Sequence, residues 1–195
     1  MTIPFFSPKG RVLLVGAGPG DPELLTLKAA KALAEADIIV HDGLVDAAVI
    51  ALANPAARLI SVAKQRSRHS VPQGGINAIL VAEAQAGNLV VRLKSGDPFI
   101  FGRGGEEVEA CRAAGVSVEV IPGVSAALGC AAEAMLPLTH RDASSAVSFV
   151  AGQCKGLSDQ NWAGACGQGP NAGDLHGRRH RIRHCRQAHR RRGCA

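Results

Sequence analysis

A chain of 195 residues, 47% hydrophobic and only 3% aromatic, can bury one sizeable core but lacks the rings for a nucleic-acid stacking platform. No apolar run reaches the roughly 18 residues that cross a bilayer, the N-terminus MTIPFFSPKGR has no leader pattern, and six scattered cysteines make no disulfide framework, so a reduced, cytoplasmic protein is expected. The formal charge of +6 is local: residues 164–195 hold eight Arg and one acid, Asp174, for +7, which leaves 14 basic against 15 acidic residues, or −1, for the rest.

From the N-terminus, RVLLV (11–15) is an apolar run ending in a Gly-rich turn, and it reads as a strand. Asp21 and Pro22 supply an N-cap and a first-turn proline, and the apolar residues from Leu24 to Ala36 fit one helical face. DIIVHD (37–42) is a second strand, 46–53 a short helix and RLISV (58–62) a third strand. Ser70 and Pro72 open a long helix that Gly87 closes. NLVVRLK (88–94) is a fourth strand, and 104–115 is a helix with early acids and a terminal Gly115. VSVEVI (116–121) is a fifth strand, 124–134 a small-residue helix and AVSFVA (146–151) a last strand. Strands alternating with helices predict an α/β domain with a mainly parallel sheet over 11–163, after a short extension at 1–10. Ligands of such sheets bind beyond the carboxyl ends of the strands.

Chemistry-bearing residues sit at those ends. Gly16-Ala17-Gly18-Pro19-Gly20-Asp21 is a tight strand–helix turn, but Asp21 stands where a dinucleotide fingerprint needs its third glycine and Pro19 lacks an N–H, so no pyrophosphate cradle is expected. In Lys94-Ser95-Gly96-Asp97-Pro98, Asp97 can accept from ribose hydroxyls or an amine, or simply shape a turn. Glu107 reads as an acid favouring the helix dipole, and the role of Glu106 stays open. His140 reads as a hydrogen-bonded loop residue, and Arg103 and Arg141 offer forked donors suited to carboxylates. The run Lys64-Gln65-Arg66-Ser67-Arg68-His69-Ser70 is a solvated loop or a collector of acidic substrate.

Taken in order, VGAGPGDPELLTLKA, IIVHDGLV, HSVPQ, VVRLKSGDPFIFGRGGEE, VIPGVSAALG and PLTHRD resemble the uroporphyrinogen-III C-methyltransferase family of tetrapyrrole methylases over about 11–163. The resemblance implies a two-domain α/β protein that binds S-adenosylmethionine between domains and methylates C2 and C7 of uroporphyrinogen III, giving precorrin-2 on the way to siroheme and cobalamin. It implies cofactor contacts at Pro19, Ser95, Gly96, Asp97, Ile100, Ser125 and Ala126. It gives Asp42 as proton acceptor, Lys64 as proton donor, and Arg103, Glu106 and Arg141 as residues that hold or activate the tetrapyrrole. The family commonly dimerises, which implies a homodimer.

Several positions depart from the family pattern. His41 replaces Tyr, Gly43 replaces Arg, Ala63 replaces Gly, Gly74-Gly75 replace a Glu pair, Ser95 replaces Gly and Ser125 replaces Thr. Ser95 is mild provided it need not take positive φ, whereas loss of the Arg at 43 weakens the hold on substrate. After Trp162 only Leu175 and Ile182 are large aliphatic residues, so disorder is expected over 164–195, and the expected origin is a shift of reading frame near residue 163. The family's second domain is then absent and activity impaired. Cys166, His176, His180, His184, Cys185, His189 and Cys194 lack a paired C-x-x-C, so no metal is expected. The arginines confer nonspecific phosphate affinity, and no specific nucleic acid or membrane is expected as partner. A related methylase acting on another tetrapyrrole or on ribosomal RNA, and a basic nucleic-acid-binding protein using the tail, are the alternatives.

Overall fold

The computed structural model describes residues 10–63, 71–142 and 146–150, and the backbone of 171–174. The chain divides into two compact units, Met1–Gly129 and Cys130–Ala195. In the first, β1 (Arg11–Gly16), β2 (Ile38–His41), β3 (Arg58–Ser61), β4 (Leu89–Lys94) and β5 (Ser117–Ile121) form one parallel sheet in the order β3-β2-β4-β1-β5. The helices α1 (Leu27–Glu35), α2 (Ala47–Ile50), α3 (Gln73–Gln85) and α4 (Gly104–Ala113) connect the strands, and α5 (Ala126–Glu133) follows β5. The parallel α/β architecture expected from the alternating pattern is therefore present.

Strand alternation sorts the core into two faces. Leu13 and Val15 of β1, Ile39 of β2 and Leu89, Val91 and Leu93 of β4 pack on Ala29, Ala32 and Leu33 of α1 and Val49 of α2. Val12, Leu14, Val40 and Val90 face the other way, onto Ile76, Leu80 and Ala84 of α3 and Val108 and Cys111 of α4. Both sheet faces are covered, which is why β1 and β2 read as unbroken apolar runs. One helix starts later than its pattern predicts. Asp21 caps only a 3-10 turn, Pro22–Leu24, by accepting from the Glu23 N–H, and Thr26 caps α1 by accepting from the Ala29 N–H at 3.1 Å. In the second unit, β6 (Val147–Val150) pairs in parallel with β7 (Asn171–Asp174). That short strand falls where composition predicts disorder; ladder hydrogen bonds are made by the backbone and do not require apolar side chains.

The carboxyl ends of β1, β4 and β5 meet. The turns after β1 and β4 exchange hydrogen bonds, Gly18 N–H to the Gly96 carbonyl at 3.2 Å and Gly96 N–H to the Gly18 carbonyl at 2.8 Å. Gly123, after β5, lies so close to both that a Cβ there would come within 2.8 Å of Gly16 Cα, with the Gly96 carbonyl nearer still. Only glycine permits this approach.

Gly123→Ala is expected to cost about 1–3 kcal/mol by forcing these backbones apart. Gly74→Ala, in α3 where a Cβ meets nothing within 4 Å, is expected to add about 0.5–1 kcal/mol. Urea unfolding of the two variants checks this contrast in sign. A third expectation concerns Glu119 of β5. Its hydrogen bond from Lys28, helped by the charges of Lys28 and Arg11, holds its carboxyl below the ordinary 4.5. A depressed folded-state value stabilises above the ordinary value, and that stabilisation is lost as pH falls through the folded value. Glu119→Gln should therefore lower stability at pH 7 by under about 1 kcal/mol, and by progressively less below pH 4.5. An equal cost at pH 7 and pH 3 in thermal melts would contradict it.

Candidate active site

Around the meeting of those turns stand the seven expected cofactor residues. Pro19 packs against α5, where a Cβ at Gly129 would lie 2.6 Å from Pro19 Cγ. Gly96 takes φ +67°, while Ser95 is absent from the positive-φ residues, so the serine in place of glycine is accommodated. Asp97 is a staple across loops: its Oδ1 accepts from Phe99 N–H at 2.8 Å and its Oδ2 from Gly123 N–H at 3.0 Å. Ser125 is buried, with its Oγ 3.4 Å from the donating Leu128 N–H, and Ala126 is exposed beside it. A Cβ at Gly96 would lie 3.5 Å from Ala126 N, so the turn after β4 and the start of α5 line one place. Ile100 is partly exposed in the loop after β4 and donates its N–H to the Asp97 carbonyl at 3.4 Å.

That loop carries strain. Phe101 and Arg103 have φ of 55° and 56°, a region that side chains other than glycine enter at a cost. Arg103 is the N-terminal flanking residue of α4, and its guanidinium grips Glu106 through two hydrogen bonds of 2.7 Å. That bond raises the Arg103 value and lowers that of Glu106, and the pair is open to solvent. Arg141 belongs to the second unit, in an exposed turn where His140 Nδ1 accepts from the Asp142 N–H at 3.2 Å. Lys64 lies outside the described residues.

Asp42, at the end of β2, is joined to Arg92, Lys94 and Glu107, none of which was expected in the site. Arg92 and Lys94 continue the even-numbered face of β4 after Val90, so alternation drives both cations into the interior beneath α4. Both are buried, and Glu107 of α4 is 0% exposed. Glu107 Oε1 accepts from Arg92 Nε at 2.9 Å, Lys94 Nζ at 3.1 Å and Gln73 Nε2 at 3.3 Å. Its Oε2 lies 3.0 Å from Lys94 Nζ, but outside hydrogen-bonding geometry. Arg92 donates through Nη1 to the carbonyls of Val40 and Leu93, both at 3.3 Å, and through Nη2 to Asp42 Oδ1 at 2.5 Å. Lys94 Nζ lies 4.0 Å from Asp42 Oδ2, and burial, reinforced by the charge of Arg92, pushes the Lys94 ammonium value down.

The reading of Glu107 as a helix-dipole acid is thus corrected. Residues 104, 107, 108 and 111 form the buried stripe of α4, and Glu106 falls on its exposed side. Spacing gives the shared faces but not their meeting: 3.6-residue spacing puts Glu107 with Val108 and Cys111, and two-residue spacing puts Arg92 and Lys94 with Val90. Gly43, next to Asp42, is tied to another departure, because a Cβ there would stand 2.7 Å from the Ala63 Cβ. Among the described residues no cluster of three or more His, Cys, Asp or Glu is placed to hold a metal, and no helix is long and apolar enough to cross a membrane.

Comparison with known proteins bears on the family and the fold. The profile of the Tetrapyrrole (Corrin/Porphyrin) Methylases matches residues 11–189. A siroheme synthase of Acinetobacter baylyi is 55% identical over 158 residues, covering 80% of this chain and 35% of the relative. The chain thus spans about a third of the length of the curated relatives it matches. The native crystal structure of a uroporphyrin III C-methyl transferase from Thermus thermophilus superposes with a TM-score of 0.76 at 42% identity, over 92% of this chain and 76% of that one. The Thermus thermophilus enzyme complexed with S-adenyl homocysteine gives 0.65 at 49% identity, over 75% and 61% of the two chains. A family profile spanning most of the sequence, on a parallel sheet whose loop tips meet in one place, means that this chain belongs to the tetrapyrrole (corrin/porphyrin) methylases.

Proposed function

We propose that the chain provides the S-adenosylmethionine-facing part of a uroporphyrinogen-III C-methyltransferase, acting at C2 and C7 of the tetrapyrrole to give precorrin-2. The observation that carries this reading is the convergence of the turns holding Pro19, Ser95–Asp97 and Ser125–Ala126 at the carboxyl ends of a parallel sheet. The place fits an adenosyl group. It has a glycine at positive φ where backbone must come close, a rigid proline against α5, and a half-exposed apolar Ile100. Bound there, S-adenosylmethionine supplies an electrophilic methyl, so the chain's own work is alignment, exclusion of water and proton handling.

Asp42 suits the proton handling. Arg92 fixes its carboxylate at a strand end, and its side chain keeps 32% exposure, so it can take the proton that the alkylated pyrrole must lose. Lys64 is assigned the complementary donor role by resemblance alone. Arg103 and Arg141 suit the eight carboxylates of uroporphyrinogen III. The Arg103–Glu106 pair is exposed, and exposed pairs are weak, so a substrate carboxylate competes with Glu106 on similar terms. Gly43 leaves this face without an arginine of its own beside Asp42, which reduces the cationic hold on substrate. The same reading carries residues 11–163 as the cofactor-binding domain, homodimeric assembly and a cytoplasmic location.

Calorimetry of the full chain with S-adenosylhomocysteine tests the reading. One molecule is expected to bind per chain, and Ala126→Trp should weaken binding by roughly tenfold or more while leaving the melting temperature close to that of the parent, because Ala126 is exposed. No binding by the folded parent chain would sink the proposal.

A further inference from the structure

The charge cluster under α4 does more than fill space. A buried ion pair is weak evidence for stability, since apolar residues of similar volume often serve as well or better. The neighbours of Arg92, Lys94 and Glu107 on the same face are Val90, Val108 and Cys111, so an apolar solution was available. What the charges achieve is directional. Glu107 is enclosed, Arg92 and Lys94 are buried, and the one member reaching solvent is Asp42. Two cations stand between two carboxylates, one sealed and one at the strand end.

We propose that Glu107 is a positioning residue which, through Arg92 and Lys94, fixes the orientation of the Asp42 carboxylate and the amount of positive charge facing it. Arg92 is the mechanical link: Nε is fixed by Glu107, Nη1 by the carbonyls of Val40 and Leu93, and only Nη2 is left to aim at Asp42. Lys94 is the electrostatic link, held by Glu107 at about 3 Å and standing 4.0 Å from Asp42. The groups facing Asp42 are Arg92 and Lys94 from β4 and His41 from β2, whose Nδ1 lies 3.1 Å from the Asp42 carbonyl oxygen, with Glu107 of α4 behind the cations. Lys64, which follows β3, lies outside the described residues. The consequence for catalysis rests on the reading of Asp42 as the proton acceptor; the coupling itself does not.

Carbon-13 NMR of the side-chain carboxyls in the full chain, with the Asp42 resonance identified by its loss in Asp42→Asn, tests the coupling. Glu107→Gln keeps an oxygen for Arg92 Nε but removes the sealed negative charge, so two cations then face one carboxylate. The Asp42 resonance should titrate at lower pH than in the parent, by roughly threefold or more in proton affinity. Lys94→Gln should move it the opposite way, and Glu107→Gln with Lys94→Gln should bring it back toward the parent. Glu119→Gln, which removes a carboxylate from the β5 edge, should leave it in place. If Glu107→Gln does not fold, Lys94→Gln alone carries the test. An Asp42 titration unmoved in every folded variant, or moved as far by Glu119→Gln, overturns the proposal. Calorimetry with S-adenosylhomocysteine on the same samples separates the two ideas: absent binding with the expected shifts overturns the cofactor reading and leaves the coupling standing.

Discussion

Arg92 is the side chain on which the site's geometry depends. It lies on β4, between β1 and β2 in the sheet, and it is almost wholly enclosed. A guanidinium there must satisfy five N–H bonds in a fixed plane. The chain engages four of them with a carboxylate from a helix, two carbonyls of the sheet and a carboxylate at the end of the neighbouring strand. Because the fork is rigid, fixing three directions fixes the fourth. The position of Asp42 therefore follows from packing around β4 as much as from its own turn.

The loops that face the proposed cofactor are organised by a different constraint, close approach of backbone. Glycines at 16, 96 and 123 let the ends of β1, β4 and β5 come together, and Asp97 fastens the result by bonding to Gly123 N–H. Asp97 thus has a structural duty, whatever else it accepts. The strained loop from Phe101 to Arg103 follows directly, and strain of this kind persists where surrounding packing over-determines the backbone. Here Gly104 supplies part of that packing, since a Cβ at Gly104 would press on Pro98.

Two departures from the family pattern become one when seen in space. Gly43 and Ala63 are 20 positions apart, yet the methyl of Ala63 occupies the ground a side chain at 43 would need. A larger residue at 43 requires a smaller one at 63. The exchange explains how both changes are tolerated together, and it leaves Asp42 with Arg92 as its close cationic partner on the described side.

The sequence alone determined what depends on local periodicity and local chain chemistry. Apolar runs at two-residue spacing, amphipathic stretches and glycine stops were enough for the order of elements from β1 to β6 and for the parallel class, because each signal lies within one element, whereas β7 has no such signal. Capping was legible in kind but not in place: Thr26, not Asp21, opens α1, since either residue can accept from an N–H ahead of it and packing chooses between them. Glu107 shows where local reading stops. Beside Glu106 at a helix start it looks like a dipole acid, and only the approach of α4 to the even face of β4 makes it the sealed partner of two cations. Likewise nothing between residues 43 and 63 announces their contact. Tertiary structure decided which charges were buried and which loops met, because both depend on elements distant in sequence being pressed together by the core.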